Sequence, residues 1–150
     1  MNAVGVFFVR LGPEHVGKVE IVERDSFALS WSTDDLRTLL ANVDVVCIGG
    51  LDQGELVAYG LGYDQIESFH LASMAVAPGF RRRGIGEALL RRLLREAKER
   101  GCARCTLEVR VSNSAARRLY SRAGFTQLQQ MKDYYEDPIE DGLELVLAEV

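Results

Sequence analysis

Residues 74–90 join an apolar strand end to an amphipathic helix through a basic turn that carries two glycines. Gly84 and Gly86 lack the side chains that would block a close backbone approach. Consecutive N–H groups at the helix start can therefore point at an anion, where the helix dipole is positive. Three arginines at 81–83 add positive charge at the same end. The pattern predicts a phosphate-binding cradle, with a basic surface turn before an ordinary helix as the alternative.

The length and composition predict one ordinary globular domain over residues 1–150. The chain is 47% hydrophobic, which is enough to bury a core without disulfides or metals. It has no uninterrupted run of about 18 apolar residues and no basic segment followed by a long apolar run at the N-terminus. We therefore expect neither a membrane span nor a signal peptide. We expect a cytoplasmic protein.

The three cysteines favour reduced thiols over a disulfide framework. Cys102 and Cys105 form a CxxC pair, but no second Cys or His pair follows nearby to complete a tetrahedral zinc site. Cys105 also falls in a predicted strand. We interpret both residues as structural and expect no metal.

Hydrophobic periodicity predicts an α/β fold with a mixed, mostly antiparallel sheet of about seven strands and about four helices. Thr33 is expected to cap the second helix and Asn113 or Ser112 the fourth. Residues 49–54 are expected to form the flexible connection of an antiparallel hairpin. Strands are expected over 4–10, 43–48, 56–63, 69–76, 106–111, 125–130 and 143–147, and helices over about 13–25, 33–41, 85–100 and 115–123.

The motif Arg81-x-x-Gly84-x-Gly86, after a Val-x-Pro strand end, resembles the acetyl-coenzyme A signature of the GNAT acyltransferase superfamily. Further segments resemble the RimI-type protein N-terminal acetyltransferases, which act on the α-amine of a small-subunit ribosomal protein. The resemblance implies the GNAT fold, in which the fourth and fifth strands splay apart. The segments that resemble the RimI-type enzymes are Trp31-Ser32, Leu107-Glu-Val-Arg-Val-Ser-Asn113, Ala116, Leu119-Tyr120, Gly124-Phe125, Tyr134-Tyr135 and Glu140-Asp141.

This resemblance implies acetyl-CoA as the cofactor and assigns site residues by position. The family's general base corresponds to Glu108 and its general acid to Tyr120. Direct attack of the amine in a ternary complex is implied, without an acyl-enzyme intermediate. The implied cofactor-binding residues are Met74, Ala75, Val76, Arg81, Arg82, Arg83, Gly84, Ile85, Gly86, Glu87 and Asn113.

The chemistry requires these residue types. An N-terminal amine has an unperturbed pKa of about 7.7–8.0, so it must lose a proton before it attacks, and a carboxylate in a partly dry cleft can accept that proton. Glu108 alternates with Leu107 and Val109 and must face the opposite side of its strand. A tyrosine such as Tyr120 can protonate a departing thiolate. The alternatives are a solvent-facing carboxylate, a core aromatic and, for Asn113, a helix cap.

Other side chains are weaker candidates. Trp31, Tyr134 and Tyr135 are expected to line the acceptor groove, with core or strand-edge packing as an equal alternative. His70 lies in the predicted cleft strand, but no position of the family matches it. We expect a packed or surface histidine there.

Charge is divided between two parts of the chain. Residues 81–104 carry nine basic and three acidic side chains, whereas residues 131–150 carry one basic and seven acidic ones. The basic part suits the phosphates of coenzyme A, and the acidic part suits the N-terminus of a basic acceptor such as a ribosomal protein, or is an ordinary solvated loop. Because the net charge is −4, we expect no nucleic-acid partner.

Two other functions stay open at this point. One is acetylation of a small amine such as a polyamine or an aminoglycoside, which would use the same cofactor half. The other is a non-catalytic coenzyme A-binding regulatory module. In each case we expect no membrane partner and a monomer or weak homodimer.

Overall fold

A computed structural model describes residues 5–24 and 31–150. Its described part forms one sheet with helices on both faces. The strands are β1 (Phe7–Arg10), β2 (Val45–Asp52), β3 (Glu55–Asp64), β4 (Ser68–Val76), β5 (Arg104–Arg110), β6 (Thr126–Tyr135) and β7 (Glu140–Leu147). The helices are α1 (Val16–Arg24), α2 (Thr33–Ala41), α3 (Ile85–Glu99) and α4 (Ser114–Arg122), with single 3-10 turns at Pro13–His15 and Pro78–Phe80.

The sheet has the strand order β1-β2-β3-β4-β5-β7-β6. Adjacent strands are antiparallel except for β4 and β5. These two strands are parallel and pair only where residues 68–70 meet residues 104–106. Beyond His70 and Thr106 the described strands no longer pair, so a gap opens between them. The predicted fold class, including the splayed fourth and fifth strands, is confirmed.

The sheet separates two hydrophobic cores. Helices α3 and α4 pack on one face, where Leu89, Leu107 and Tyr120 are buried. Helices α1 and α2 cover the other face, where Leu36 and Tyr59 are buried. Because side chains alternate along a strand, the residues of β5 that do not enter the first core face the α1–α2 side. In the described part of the chain, no helix is long and apolar enough to cross a membrane.

The predicted connection at 49–54 is wrong. Gly49 and Gly50 lie inside β2, which pairs with β3 as far as Asp52, and the turn itself is Gln53-Gly54. A Cβ atom at Gly49 would lie 2.6 Å from Cδ1 of Leu56. Close packing across the sheet, not flexibility of the chain, therefore requires this glycine.

Other element ends shift by a few residues. The cap of α2 is Ser32, whose hydroxyl accepts a hydrogen bond from the backbone N–H of Asp35 (3.1 Å), so Thr33 is the first helical residue. Strand β6 runs to Tyr135, five residues beyond its predicted end. Val4 and Asp25, the predicted ends of the first strand and the first helix, lie outside the described residues.

Candidate active site

A cleft of about 720 Å³ lies where β4 and β5 separate. Ala116 and Tyr120 line it from α4, on one face of the sheet. Trp31, Glu108 and Tyr134 line it from the α1–α2 side. The cleft therefore passes through the sheet and gives access to both faces.

On the α1–α2 side, a histidine orients the predicted base. The side chain of Glu108 is 23% exposed, and its Oε1 lies 3.1 Å from Nε2 of His70. Nδ1 of His70 lies 2.9 Å from the hydroxyl of Thr106. When Thr106 donates to Nδ1, the ring hydrogen of neutral His70 is on Nε2 and faces the carboxylate.

His70 was not predicted from the sequence as a residue of the site. The strand register is what places His70 beside Glu108. His70 pairs with Thr106, and Glu108 lies two residues after Thr106 on the same face of β5. That register joins segments 36 residues apart. Sequence periodicity alone does not reveal it.

Aromatic side chains surround this pair. The ring of Tyr63 is centred 5.2 Å from that of His70. Burial raises the pKa of Tyr134, and the neighbouring charge of Glu108 raises it further. Tyr135 packs edge-on against Tyr134 at 5.0 Å, and burial raises its pKa to about 12. Both tyrosines line the cleft, as does Trp31.

On the opposite face, Tyr120 is 8% exposed and packs edge-on against Phe125 at 5.6 Å. Burial raises the pKa of Tyr120 above its ordinary value of 10. The phenol therefore keeps its proton at neutral pH. Tyr120 belongs to the core and also lines the cleft, so its core packing is confirmed and its role as general acid stays a prediction.

The turn before α3 has the backbone geometry of an anion cradle. Arg82 (φ 61°) and Gly84 (φ 78°) are both left-handed, and α3 begins at Ile85. Left-handed Gly84 directly precedes helical, right-handed Ile85, and this combination turns successive N–H groups towards one side, here at the positive end of a 15-residue helix. This backbone fits a pyrophosphate.

The three arginines of the turn have different surroundings. Arg81 Nε donates to the carbonyl of Val76 (3.0 Å) and so fastens the turn to the end of β4. The guanidinium of Arg83 lies 5.0 Å from the ring centre of Phe80. Arg82 contributes the left-handed backbone. Glu87, in the first turn of α3, pairs with Arg91 (3.0 Å).

The end of β4 has one paired edge and one edge at the gap. One edge of this segment pairs with β3, and the described pairs of β4 with β5 end at His70, before the segment is reached. The segment consists of Met74, Ala75 and Val76. An extended chain can add to such an edge as a strand. Across the gap, Asn113 lines the cleft and caps α4, where its Oδ1 accepts from the N–H of Ala116 (3.2 Å).

Arg110 holds the connection between β6 and β7 against the cleft. Its Nη1 donates to the carbonyl of Pro138 (2.9 Å) and to Glu140 Oε1 (3.1 Å), and its Nη2 donates to the carbonyl of Glu136 (2.8 Å). Its guanidinium also lies 4.5 Å from the ring centre of Tyr135. This role of Arg110 was not predicted from the sequence. The available signal was an arginine on the same strand face as Glu108.

The three cysteines are free and buried. Burial raises the pKa of Cys47 and of Cys105 to about 12, and it also raises the pKa of Cys102. A buried thiol with a raised pKa is a poor nucleophile.

A family model described as "Acetyltransferase (GNAT) family" matches residues 15–125. The [ribosomal protein bS18]-alanine N-acetyltransferase of Escherichia coli K12 is 38% identical over 91 residues, which are 61% of this chain and 60% of that protein. The chain thus matches less than two thirds of that relative's length. The protein of the same name from Haemophilus ducreyi is 31% identical over 81% of both chains.

Two solved structures share the fold. The crystal structure of the Escherichia coli ribosomal-protein-S18-alanine N-acetyltransferase superposes with a TM-score of 0.89 at 27% identity, covering 97% of this chain and 95% of that one. Arabidopsis thaliana NAA60 in complex with acetyl-CoA gives a TM-score of 0.85 at 19% identity, covering 95% and 97%.

Proposed function

The chain belongs to the GNAT acetyltransferase family, and we propose that it transfers the acetyl group of acetyl-CoA to the α-amine of a protein N-terminus. The observation that carries this proposal is the cleft through the sheet, with Glu108 on one face and Tyr120 on the other. An amine in this cleft has a proton acceptor on one side and a proton donor beyond it. Relatives named as ribosomal-protein N-acetyltransferases support the same class of acceptor.

Acetyl-CoA fits two features of the described backbone. The edge of Met74, Ala75 and Val76 that faces the gap would hold the pantetheine arm, and the N–H groups of residues 82–87 would hold the pyrophosphate. When bound, acetyl-CoA supplies an acyl group activated as a thioester. Asn113 would contact the cofactor from across the gap while it caps α4.

The remaining steps belong to side chains of this protein. Glu108 accepts a proton from the acceptor ammonium, and His70 orients its carboxylate for that purpose. Tyr120 holds a proton on its hydroxyl on the opposite face, where a leaving thiolate needs one. The raised pKa of Tyr120 preserves that proton until it is required.

The end of the cleft on the α1–α2 side, which we call the acceptor end, favours a peptide over a small amine. Trp31, Tyr134 and Tyr135 provide broad walls, and Arg110 holds the connection that carries the acidic residues Glu136 and Asp137. An extended peptide with a positive N-terminus matches these walls and this charge. We also propose a basic ribosomal protein as the acceptor, and a monomer or weak homodimer in the cytoplasm.

The test is coenzyme A release from acetyl-CoA by the purified protein with three sets of acceptors. These are peptides with free N-termini, N-blocked peptides that contain lysine, and polyamines. We expect release only with free N-termini. Release only with polyamines would establish the small-amine alternative, and tight coenzyme A binding without release would establish the regulatory module.

A further inference from the structure

Glu23 is a buried carboxylate on the inner face of α1. It is 4% exposed and is the only buried charged side chain within residues 5–24 and 31–150. Its Oε2 has no hydrogen-bond partner in the described part of the chain. Burial raises the pKa of Glu23, whereas hydrogen bonds from the Tyr59 hydroxyl and the backbone N–H of Trp31 lower it. Burying such a group costs stability, so its presence points to a role.

A hydrogen-bonded chain leads from Glu23 to the cleft. Tyr59, fully buried on β3, bonds to Glu23, and its hydroxyl lies 2.8 Å from Oγ of Ser73. Ser73 lines the same cleft as Glu108. Trp31, whose backbone N–H bonds to Glu23, also lines the cleft. The buried carboxylate thus lies directly behind the wall of the acceptor end.

The carboxylate sets the direction of this chain. The hydrogen bond with Tyr59 lowers the pKa of Glu23, as a bond donated to the carboxylate does, so the hydroxyl of Tyr59 donates to Glu23. The oxygen of Tyr59 is then left to accept from the hydroxyl of Ser73. With its hydrogen used in this way, Ser73 offers only oxygen lone pairs to a group in the cleft, and the group that suits them is a hydrogen-bond donor.

We propose that Ser73 binds the α-ammonium of the acceptor, with Tyr59 and Glu23 as positioning residues that keep its oxygen an acceptor. This inference rests on the proposed function. An α-ammonium has three N–H donors, and Ser73 and Glu108 line the same cleft. An N-blocked peptide has no ammonium to offer to Ser73.

The test measures KM and kcat for a free N-terminal peptide with Ser73→Ala. Hydrogen bonds to charged groups are strong enough that we expect the peptide KM to rise by about tenfold or more. The kcat and the KM for acetyl-CoA should stay unchanged, because the lost contact binds the acceptor only. Ser73→Thr keeps the hydroxyl and should stay close to the wild-type KM. Ser68→Ala, at the first residue of the same strand and outside the cleft lining, is the matched control.

Tyr59→Phe and Glu23→Gln test the positioning roles. Each should raise the peptide KM, and neither should add to the effect of Ser73→Ala, because both act through Ser73. Additive effects would overturn these roles. Thermal unfolding checks that the variants fold, and the Ser73→Ala and Ser73→Thr pair decides the proposal if Tyr59→Phe does not fold.

The outcomes separate this inference from the proposed function. An active wild-type protein with an unchanged peptide KM in Ser73→Ala overturns the inference and leaves the function standing. A wild-type protein that acetylates no free N-terminus overturns both.

Discussion

Nε2 of His70 lies 3.1 Å from Oε1 of Glu108, across the two strands that separate to form the cleft. His70 is the last residue of β4 that pairs with β5, and its partner in register is Thr106. The pair therefore lies at the point where the gap opens. The strand pairing that ends there holds the imidazole, and the imidazole in turn orients the carboxylate.

Glu108→Gln should lower kcat by about 100-fold or more, because an amide cannot accept the proton of the ammonium. Coenzyme A binding should not change. Steady-state kinetics and calorimetry measure the two effects. Glu144→Gln is the matched control, since Glu144 lies beside Glu108 in the register of β7. Equal kcat in wild type and Glu108→Gln would contradict the role of Glu108 as general base.

His70→Ala should lower kcat by about tenfold, with the KM for acetyl-CoA unchanged, because Glu108 loses the group that orients it. His70→Gln keeps an amide donor and should fall between the wild type and His70→Ala. Steady-state kinetics over a range of pH provide the measurement. A His70→Ala protein with the wild-type kcat and pH profile would show that His70 is only a packed residue.

Tyr120→Phe should lower kcat by about tenfold or more without weakening coenzyme A binding, because only the proton donor is lost. The ring contact with Phe125 stays, so the melting temperature should change little. Because burial raises the pKa of Tyr120, the wild-type rate should not fall through its ionisation below pH 10. A wild-type kcat in this variant would contradict the role as general acid.

Gly84→Ala should cost about 1 kcal/mol of stability, because the residue is left-handed at φ 78°. It should also weaken coenzyme A binding, since the cradle depends on that backbone. Gly101→Ala is the matched control at the other end of α3, with φ 89° and open space around the added Cβ. Denaturant unfolding should show similar losses in both variants. Only Gly84→Ala should lose affinity for coenzyme A. Equal coenzyme A affinities in the two variants would contradict the prediction that this turn binds the cofactor.

Stability should fall in acid partly through Glu140. Hydrogen bonds from Ser112, and the charge and hydrogen bond of Arg110, hold the pKa of Glu140 below its ordinary value of 4.5. The folded state therefore gains stability from ionised Glu140 at neutral pH and loses it as the pH falls through the lowered pKa. Urea unfolding at several pH values should show Glu140→Gln less stable than wild type at pH 7. The difference should shrink below pH 4.5, and a constant difference would contradict this linkage.

Elements that depend on local patterns were predicted well. Hydrophobic periodicity predicted a helix over about 85–100, which the structure has at Ile85–Glu99, and the alternation around Glu108 indicated its orientation. The family prediction, which rests on short motifs, is confirmed. The predicted antiparallel pairing of β2 with β3 is confirmed, but the predicted connection at 49–54 is wrong. Gly49 lies inside β2 because the side chain of Leu56 leaves no room for a Cβ atom there, and the local sequence pattern does not indicate that contact.

The sequence by itself therefore determined the elements, the basic turn and the family, because periodicity, capping and motif spacing act over a few neighbouring residues. Only the tertiary structure decided which side chains meet at the cleft. His70 reaches Glu108, Tyr59 reaches Ser73 and Arg110 reaches the connection between β6 and β7. Each contact depends on the register and order of strands that are remote in the chain. Packing of the whole sheet sets that register, and local propensity does not.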